Sequence, residues 1–223
     1  DDEHEIAEVG GRPVLVPPLD NAAELEGYDA VLIASEGHGS RHDHLLSFLD
    51  RNPDAAVVDL SRLAVLRDRT TPAAGLGPAS ARHLRVAHPA LAATVRVVEV
   101  LQHLGRLGGS LAVVDPVSVF GREGIEILAR QAAQRMRGEP VSERIDDRIR
   151  AFNVFAVDPS DVQEEAAAVL PELQLAVTHS LSGVFHGHLA HLALTCSEAL
   201  SPQTVRETLE QAAGLELTDH PLA

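Results

Sequence analysis

Three clusters of side chains in this sequence have the types and spacing that chemistry requires. Glu36-Gly37-His38-Gly39-Ser40-Arg41-His42-Asp43-His44 places three histidines and two carboxylates in nine residues, a set with metal-ligand character. The same run is a glycine loop ahead of a helix start, where free backbone N–H groups suit a phosphate. An exposed polar turn is the simplest reading, with the phosphate loop and the metal site as alternatives. The second cluster is His186-Gly187-His188-Leu189-Ala190-His191, which as a strand puts His186 and His188 on one face. No cysteine or carboxylate lies close by in sequence, so one histidine acting as a general acid or base is the functional reading, beside a purely structural pair. The third is the lone Cys196. A nucleophilic thiol wants a helix N-terminus or a nearby histidine; Cys196 follows Leu192-Ala193-Leu194-Thr195 in a strand-like run, which predicts a buried, inert thiol.

The elements that must position these groups fall into two series. Val14-Leu15-Val16 reads as a short strand stopped by Pro17-Pro18. Tyr28 to Ala34 is a continuous apolar run, the pattern of a strand buried on both faces. A helix carrying Leu45, Leu46 and Leu49 follows and stops near Asn52-Pro53, and Ala55 to Leu60 repeats the strand pattern. Arg67 to Ser80 reads as a long loop, and Pro89 opens a helix continuing through Ala92 to Leu104. This alternation predicts a parallel sheet covered by helices, the doubly wound α/β class.

Beyond the glycine-rich Gly105 to Gly109 the pattern changes. Leu111 to Val114 is a strand broken by Asp115-Pro116, and Gly121 to Arg137 is the clearest helix. Its predicted core stripe is Ile125, Leu128, Ala129, Ala132 and Met136, and Gly138 closes it. Ser160-Asp161-Val162-Gln163 has the form of a capping box. Leu173 to Leu181 and Leu189 to Cys196 are strand-like runs joined by a turn with Gly183, His186 and Gly187; Ser201-Pro202 opens a last helix, with Gly214 at its C-cap. The expected division is an α/β domain over 1–105 and an α+β domain over 106–223.

Composition narrows the function classes. The chain has 223 residues, 18 Lys+Arg against 33 Asp+Glu and a net charge of −15, which argues against nucleic acid and anionic membranes as partners. With no Trp, one Tyr and five Phe, it lacks the rings for a base-stacking platform, and its core must be Ala, Val and Leu. One cysteine excludes a disulfide framework within the chain. No apolar run reaches the span of a bilayer, and Asp1-Asp2-Glu3-His4-Glu5 is the reverse of a basic signal-peptide start. A soluble, cytoplasmic protein is expected.

Val117-Ser118-Val119-Phe120-Gly121-Arg122-Glu123-Gly124-Ile125-Glu126, Phe152-Asn153 and Val184-Phe185-His186-Gly187-His188 together resemble the aspartate-semialdehyde dehydrogenase family. The resemblance extends over nearly the whole chain. It implies a Rossmann-like domain followed by an α+β dimerisation domain, NADP as cofactor, and reduction of aspartyl phosphate to the semialdehyde. Tyr28 to Ser40 resembles the family's strand and glycine turn near the cofactor, and Val57-Val58-Asp59-Leu60-Ser61 the next strand, which implies cofactor contacts at Ser35, Gly37 and Ser61. His188 matches the acid/base histidine. The segment 121–138, with Arg122-Glu123-Gly124 and Leu128-Ala129-Arg130-Gln131, looks especially like the Usg-type paralogues, which lack the nucleophile.

The departures carry as much information. Where the family has Asn-Pro-Asn-Cys at a helix start, this chain reads His88-Pro89-Ala90-Leu91, so Leu91 occupies the cysteine position and forms no thioester. Asp115 replaces the catalytic glutamine and Leu181 the substrate-binding arginine. The family's opening strand and glycine-rich phosphate turn are not in this chain, so the expected α/β domain lacks its first strand and glycine loop, as a trimmed piece of a longer protein would. The resulting expectation is a dehydrogenase-like homologue without that activity, a homodimer acting on an unidentified protein partner through the helix Gly121 to Arg137 and the strands Leu173 to Cys196. The alternative is an active NADP-dependent oxidoreductase of altered chemistry in which His188 and Asp115 move the proton. A metal protein using His38, His42, His186 and His188 is the third reading; no metal ligand is assigned.

Overall fold

The computed structural model describes residues 5–9, 11–16, 28–34, 40–62, 64–74 and 81–218. They form two compact units, with the chain dividing between Val86 and Ala87.

The first unit opens with an antiparallel hairpin of β1 (Glu5–Val9) and β2 (Arg12–Val16). Its sheet is wholly parallel: β3 (Ala30–Ile33), β4 (Ala56–Asp59), β5 (Thr71–Ala73) and β6 (His83–Val86) lie in the order β3-β4-β6-β5. Between β3 and β4 runs α1 (Ser40–Arg51), whose Leu45, Phe48 and Leu49 pack with Ala55, Val57 and Leu66 and with the half-buried Val31 and Ile33. That is the expected parallel α/β arrangement. Tyr28 to Ala34, however, is not buried on both faces. Helix α1 covers one side only, and Leu32 and its neighbour Val58 are 63% and 37% exposed on the other. Nor is Arg67 to Ser80 all loop: a 3-10 turn at Ala64–Arg69 buries Leu66, and Thr71–Ala73 pairs with β6.

The second unit begins with α2 (Pro89–Leu101), where the sequence reading placed the change at Gly105 to Gly109. The buried stripe Leu91, Val95, Val98 and Leu101 accounts for this, because α2 packs on elements that follow it in the chain. After α2 come β7 (Leu107–Asp115), α3 (Gly121–Met136), β8 (Val154–Val157), α4 (Ser160–Val169), β9 (Leu175–Ser182), β10 (Leu189–Cys196) and α5 (Pro202–Glu210), of which α4, β10 and α5 pack against it. The four strands make a mixed sheet ordered β10-β7-β9-β8, with β7 and β9 parallel and both edge pairs antiparallel. The order of strands and helices expected for an α+β domain is present. Leu111, Val113, Leu175, Val177 and Leu181 are buried on one face; on the other, Ser110, Ala112 and Val114 share rows with Ala193, His191 and the exposed Leu189. No described helix is long and apolar enough to cross a membrane.

Helix α3 is rotated from its predicted stripe. Gly124, Leu128 and Gln131 face the interior, Ala129 is exposed, and Met136 is 81% exposed. Gln131 is the reason. Its Oε1 accepts from the backbone N–H groups of Arg150 (2.8 Å) and Ala151 (3.1 Å), and its Nε2 donates to the carbonyls of Glu143 (3.0 Å) and Arg148 (3.4 Å). All four capacities of the amide are used to clip the 143–151 loop to the helix. Ser160 to Gln163 is not a capping box either. Asp158 accepts from the Ser160 N–H, while Gln163 turns away to bridge the Leu175 carbonyl and the Val177 N–H. Ser201 does cap α5, accepting from the Thr204 N–H at 3.0 Å, as its sequence predicts.

A tight turn in the clipped loop gives one stability prediction. Ile145 and Arg148 exchange both backbone hydrogen bonds across Asp146 and Asp147, which have φ of 50° and 56°. Two central residues with positive φ favour glycine at the second. Asp147→Gly is expected to raise the unfolding free energy by about 0.5–1 kcal/mol, read as a higher urea midpoint at unchanged m-value.

Candidate functional site

Four side chains from separate elements converge at the buried side of the second unit's sheet. Asp115 ends β7 just before Pro116; His179 lies on β9, in register with Val113; His188 immediately precedes β10; His88 is the N-cap of α2. Asp115 Oδ2 lies 2.9 Å from both His88 Nε2 and His179 Nε2, and Oδ1 lies 2.8 Å from His188 Nδ1. The His88 ring is edge-on to the other two, with centroids 5.7 and 5.6 Å away. Two backbone supports fix the frame: the His88 N–H donates to Glu165 Oε2 at 2.9 Å, and Ser182 Oγ donates to the Asp115 carbonyl at 3.1 Å.

The hydrogen-bond roles follow from charge and from the helix cap. Burial alone would raise the pKa of Asp115, but hydrogen bonds from His179, His88 and His188 hold it well below the usual carboxylate range. An ionised carboxylate only accepts, so each of the three facing ring nitrogens carries a proton. His88 Nδ1 accepts from the Ala90 N–H at 3.2 Å, so its proton sits on Nε2. In the neutral ring, His188 has its proton on Nδ1, facing Asp115, and its Nε2 lone pair is left free. Its side chain is 31% exposed, against 3% for His88, 5% for Asp115 and 14% for His179. Chemically this is an oriented base with a carboxylate behind it.

The sign of the pH dependence is set by the depressed carboxylate. Asp115 binds its proton less readily folded than at its ordinary pKa of 3.8, so it stabilises the fold above that value and loses this contribution as pH falls. The stability difference between the wild type and Asp115→Asn is expected to shrink steadily as pH falls below about pH 4. Urea titrations over that range measure it.

The residues singled out from sequence are placed unevenly. His188 and Asp115 come together, joined by His88 and His179, whose part sequence reasoning missed. Leu91 and Leu181, which the resemblance sets at the nucleophile and arginine positions, are interior, 0% and 7% exposed. His186 is exposed on the turn before β10 rather than sharing a strand face with His188, and His191 is exposed on β10. Cys196 is half-buried, its thiol 3.9 Å from the Leu104 carbonyl. The Ser61 hydroxyl and N–H both donate to Asp59 Oδ1 at 2.9 Å, closing the turn after β4. Ser35, Gly37 and His38 lie outside the described residues, as does the side chain of His42.

No family model matches the chain. A USG-1 protein homolog of Azotobacter vinelandii is 41% identical over 117 residues, which is 47% of this chain and 35% of the relative. Another from Pseudomonas aeruginosa is 33% identical over 113 residues, 45% of this chain and 34% of the relative. The matched stretches thus span about a third of those relatives' length. In fold, the chain is similar to a probable aspartate-semialdehyde dehydrogenase of Pseudomonas aeruginosa, with a TM-score of 0.75 at 22% identity over 95% of this chain and 68% of the other. An aspartate-semialdehyde dehydrogenase with NADP from Candida albicans gives 0.58 at 12% identity over 94% and 62%. The chain is therefore related to the Usg-type proteins and is built on the aspartate-semialdehyde dehydrogenase fold.

Proposed function

We propose that this chain is a homologue of the aspartate-semialdehyde dehydrogenases without their activity, acting in the cytoplasm as a homodimer that engages a protein partner. The observation that carries the first half is Leu91. At the place the resemblance gives to the nucleophile stands an aliphatic side chain, 0% exposed and packed into the core from the first turn of α2. No thioester forms there, and buried Leu181 offers no guanidinium for a substrate carboxylate. Support for the dimer comes from the uncovered sheet face. Leu189 and Val154 are 62% and 65% exposed there, among small residues such as Ala112, Ala193 and Ala156, an apolar surface suited to a symmetric contact. Light scattering on gel filtration tests it: a mass of two chains is expected, and one chain at micromolar concentration would contradict the dimer.

One observation favours a second reading, an NADP-dependent oxidoreductase of altered chemistry. Asp115 orients His188 with its outer nitrogen free, the arrangement a direct hydride transfer needs for its proton. NADP comes to this chain only through the fold it shares with the dehydrogenases. Titration of NADPH against the full natural protein, followed by nicotinamide fluorescence, separates the readings: micromolar binding supports the oxidoreductase, and no binding at millimolar cofactor ends it.

A further inference from the structure

We propose that His88, Asp115 and His188 form a site for a zinc-class divalent transition-metal ion, with His179 holding the carboxylate ligand in place. The three ligand atoms, His88 Nε2, a carboxylate oxygen of Asp115 and His188 Nδ1, lie within 4.8 Å of one another. Ligands in tetrahedral zinc sites, with bonds of about 2.1 Å, stand about 3.4 Å apart, so an ion fits with side-chain movements on the order of 1 Å. Two imidazoles and one carboxylate make a borderline nitrogen–oxygen set that suits zinc or cobalt rather than calcium or magnesium, which prefer oxygen alone.

The surroundings have the form of an outer shell. His179 Nε2 donates to Asp115 Oδ2, Ser182 anchors the Asp115 backbone, and Glu165 anchors that of His88. Such partners orient metal ligands and fix their basicity. His188, the most exposed of the three, gives the ion its way in and leaves a coordination position for water.

Protons balance without loss. In the ion-free state His88 is protonated on Nε2 and a neutral His188 on Nδ1, both facing Asp115. On binding, each ring keeps one proton, moved to its other nitrogen, while its ligand nitrogen turns a lone pair on the ion. The His188 proton then points to solvent. The His88 proton moves to Nδ1, and its 3.2 Å bond from the Ala90 N–H is given up in exchange for the metal bond. This site does not depend on the function proposed above, and it uses none of the histidines of the 36–44 cluster.

The test uses the untagged full chain after chelator treatment, titrated with zinc by calorimetry and with cobalt(II) by visible absorption. One ion per chain with micromolar or tighter affinity is expected, with cobalt bands of a four-coordinate site. His188→Ala and His88→Asn are each expected to weaken binding at least about a hundredfold. Asparagine is a favoured helix cap, so His88→Asn removes the ligand while keeping α2 closed, which circular dichroism checks. His186→Ala removes an exposed histidine outside the set and is expected to leave affinity unchanged. Absence of saturable binding, or binding that survives both His88→Asn and His188→Ala, overturns the proposal.

Discussion

Replacing Asp115 with alanine is expected to lower the unfolding free energy of the chelator-treated protein by about 3–5 kcal/mol, a loss at the far end of what one substitution does. The carboxylate is the common acceptor for three imidazole N–H groups drawn from the N-cap of α2, from β9 and from the residue before β10. Without it, buried His88 and partly buried His179 are left with unpaired donors, the buried one costing about 1–3 kcal/mol and the other less. Asp115→Asn is expected to cost about half as much. Its carbonyl oxygen still accepts from His88 and His179, and its amide faces a His188 ring that can move its proton to Nε2 and accept. Equal losses for the two variants would show that the negative charge, which both remove, sets the cost rather than the acceptors the amide retains, since asparagine leaves no cavity. Urea denaturation with both variants makes the comparison.

The second large effect lies in α3. Gln131→Met keeps the volume of a fully buried side chain and removes its four hydrogen bonds, two of them from the N–H groups of Arg150 and Ala151. A loss of about 3 kcal/mol or more is expected. The same loop carries Arg150, whose side chain is wholly buried, with its guanidinium 5.6 Å from the Phe120 ring centroid and 5.1 Å from that of Phe155. Freeing the clip therefore exposes a buried cation as well. Amide hydrogen exchange should show Arg150 and Ala151 losing protection well beyond the strands of the sheet; protection unchanged at both would mean that the loop holds itself closed.

Sequence pattern made the architecture legible where it was continuous. The β-α-β runs of the first unit and the strand–helix series of the second follow from apolar periodicity, and Ser201-Pro202 marked its helix correctly. What failed were readings that depended on where a face points. Continuous apolar strands at 30–33 and 56–59 cannot say whether one side is covered. The stripe of α3 shifted because a buried glutamine outcompeted Ala129 and Met136 for the interior. His188 stood in the 186–191 histidine cluster that the residues alone marked, and the family resemblance singled it out from its neighbours. His88 and His179 are separated from Asp115 by 27 and 64 residues, and no short motif joins them. One signal was present: His179 shares its strand face with Val177 and Leu181, and a polar residue on an apolar face needs a buried partner. Asp115, ending the apolar Leu111 to Val114 run, is the other half of that pair.

The central claim of the proposed function is that buried Leu91 and Leu181 stand at the positions the family resemblance gives to a nucleophilic thiol and a substrate-binding guanidinium. Its most direct test is the turnover of aspartate semialdehyde with NADP and phosphate by the full natural protein, at enzyme concentrations high enough to see a single turnover. The account predicts no NADPH formation and no covalent acyl-enzyme by mass spectrometry. A phosphate-dependent turnover, or an acyl adduct on any residue, would contradict it.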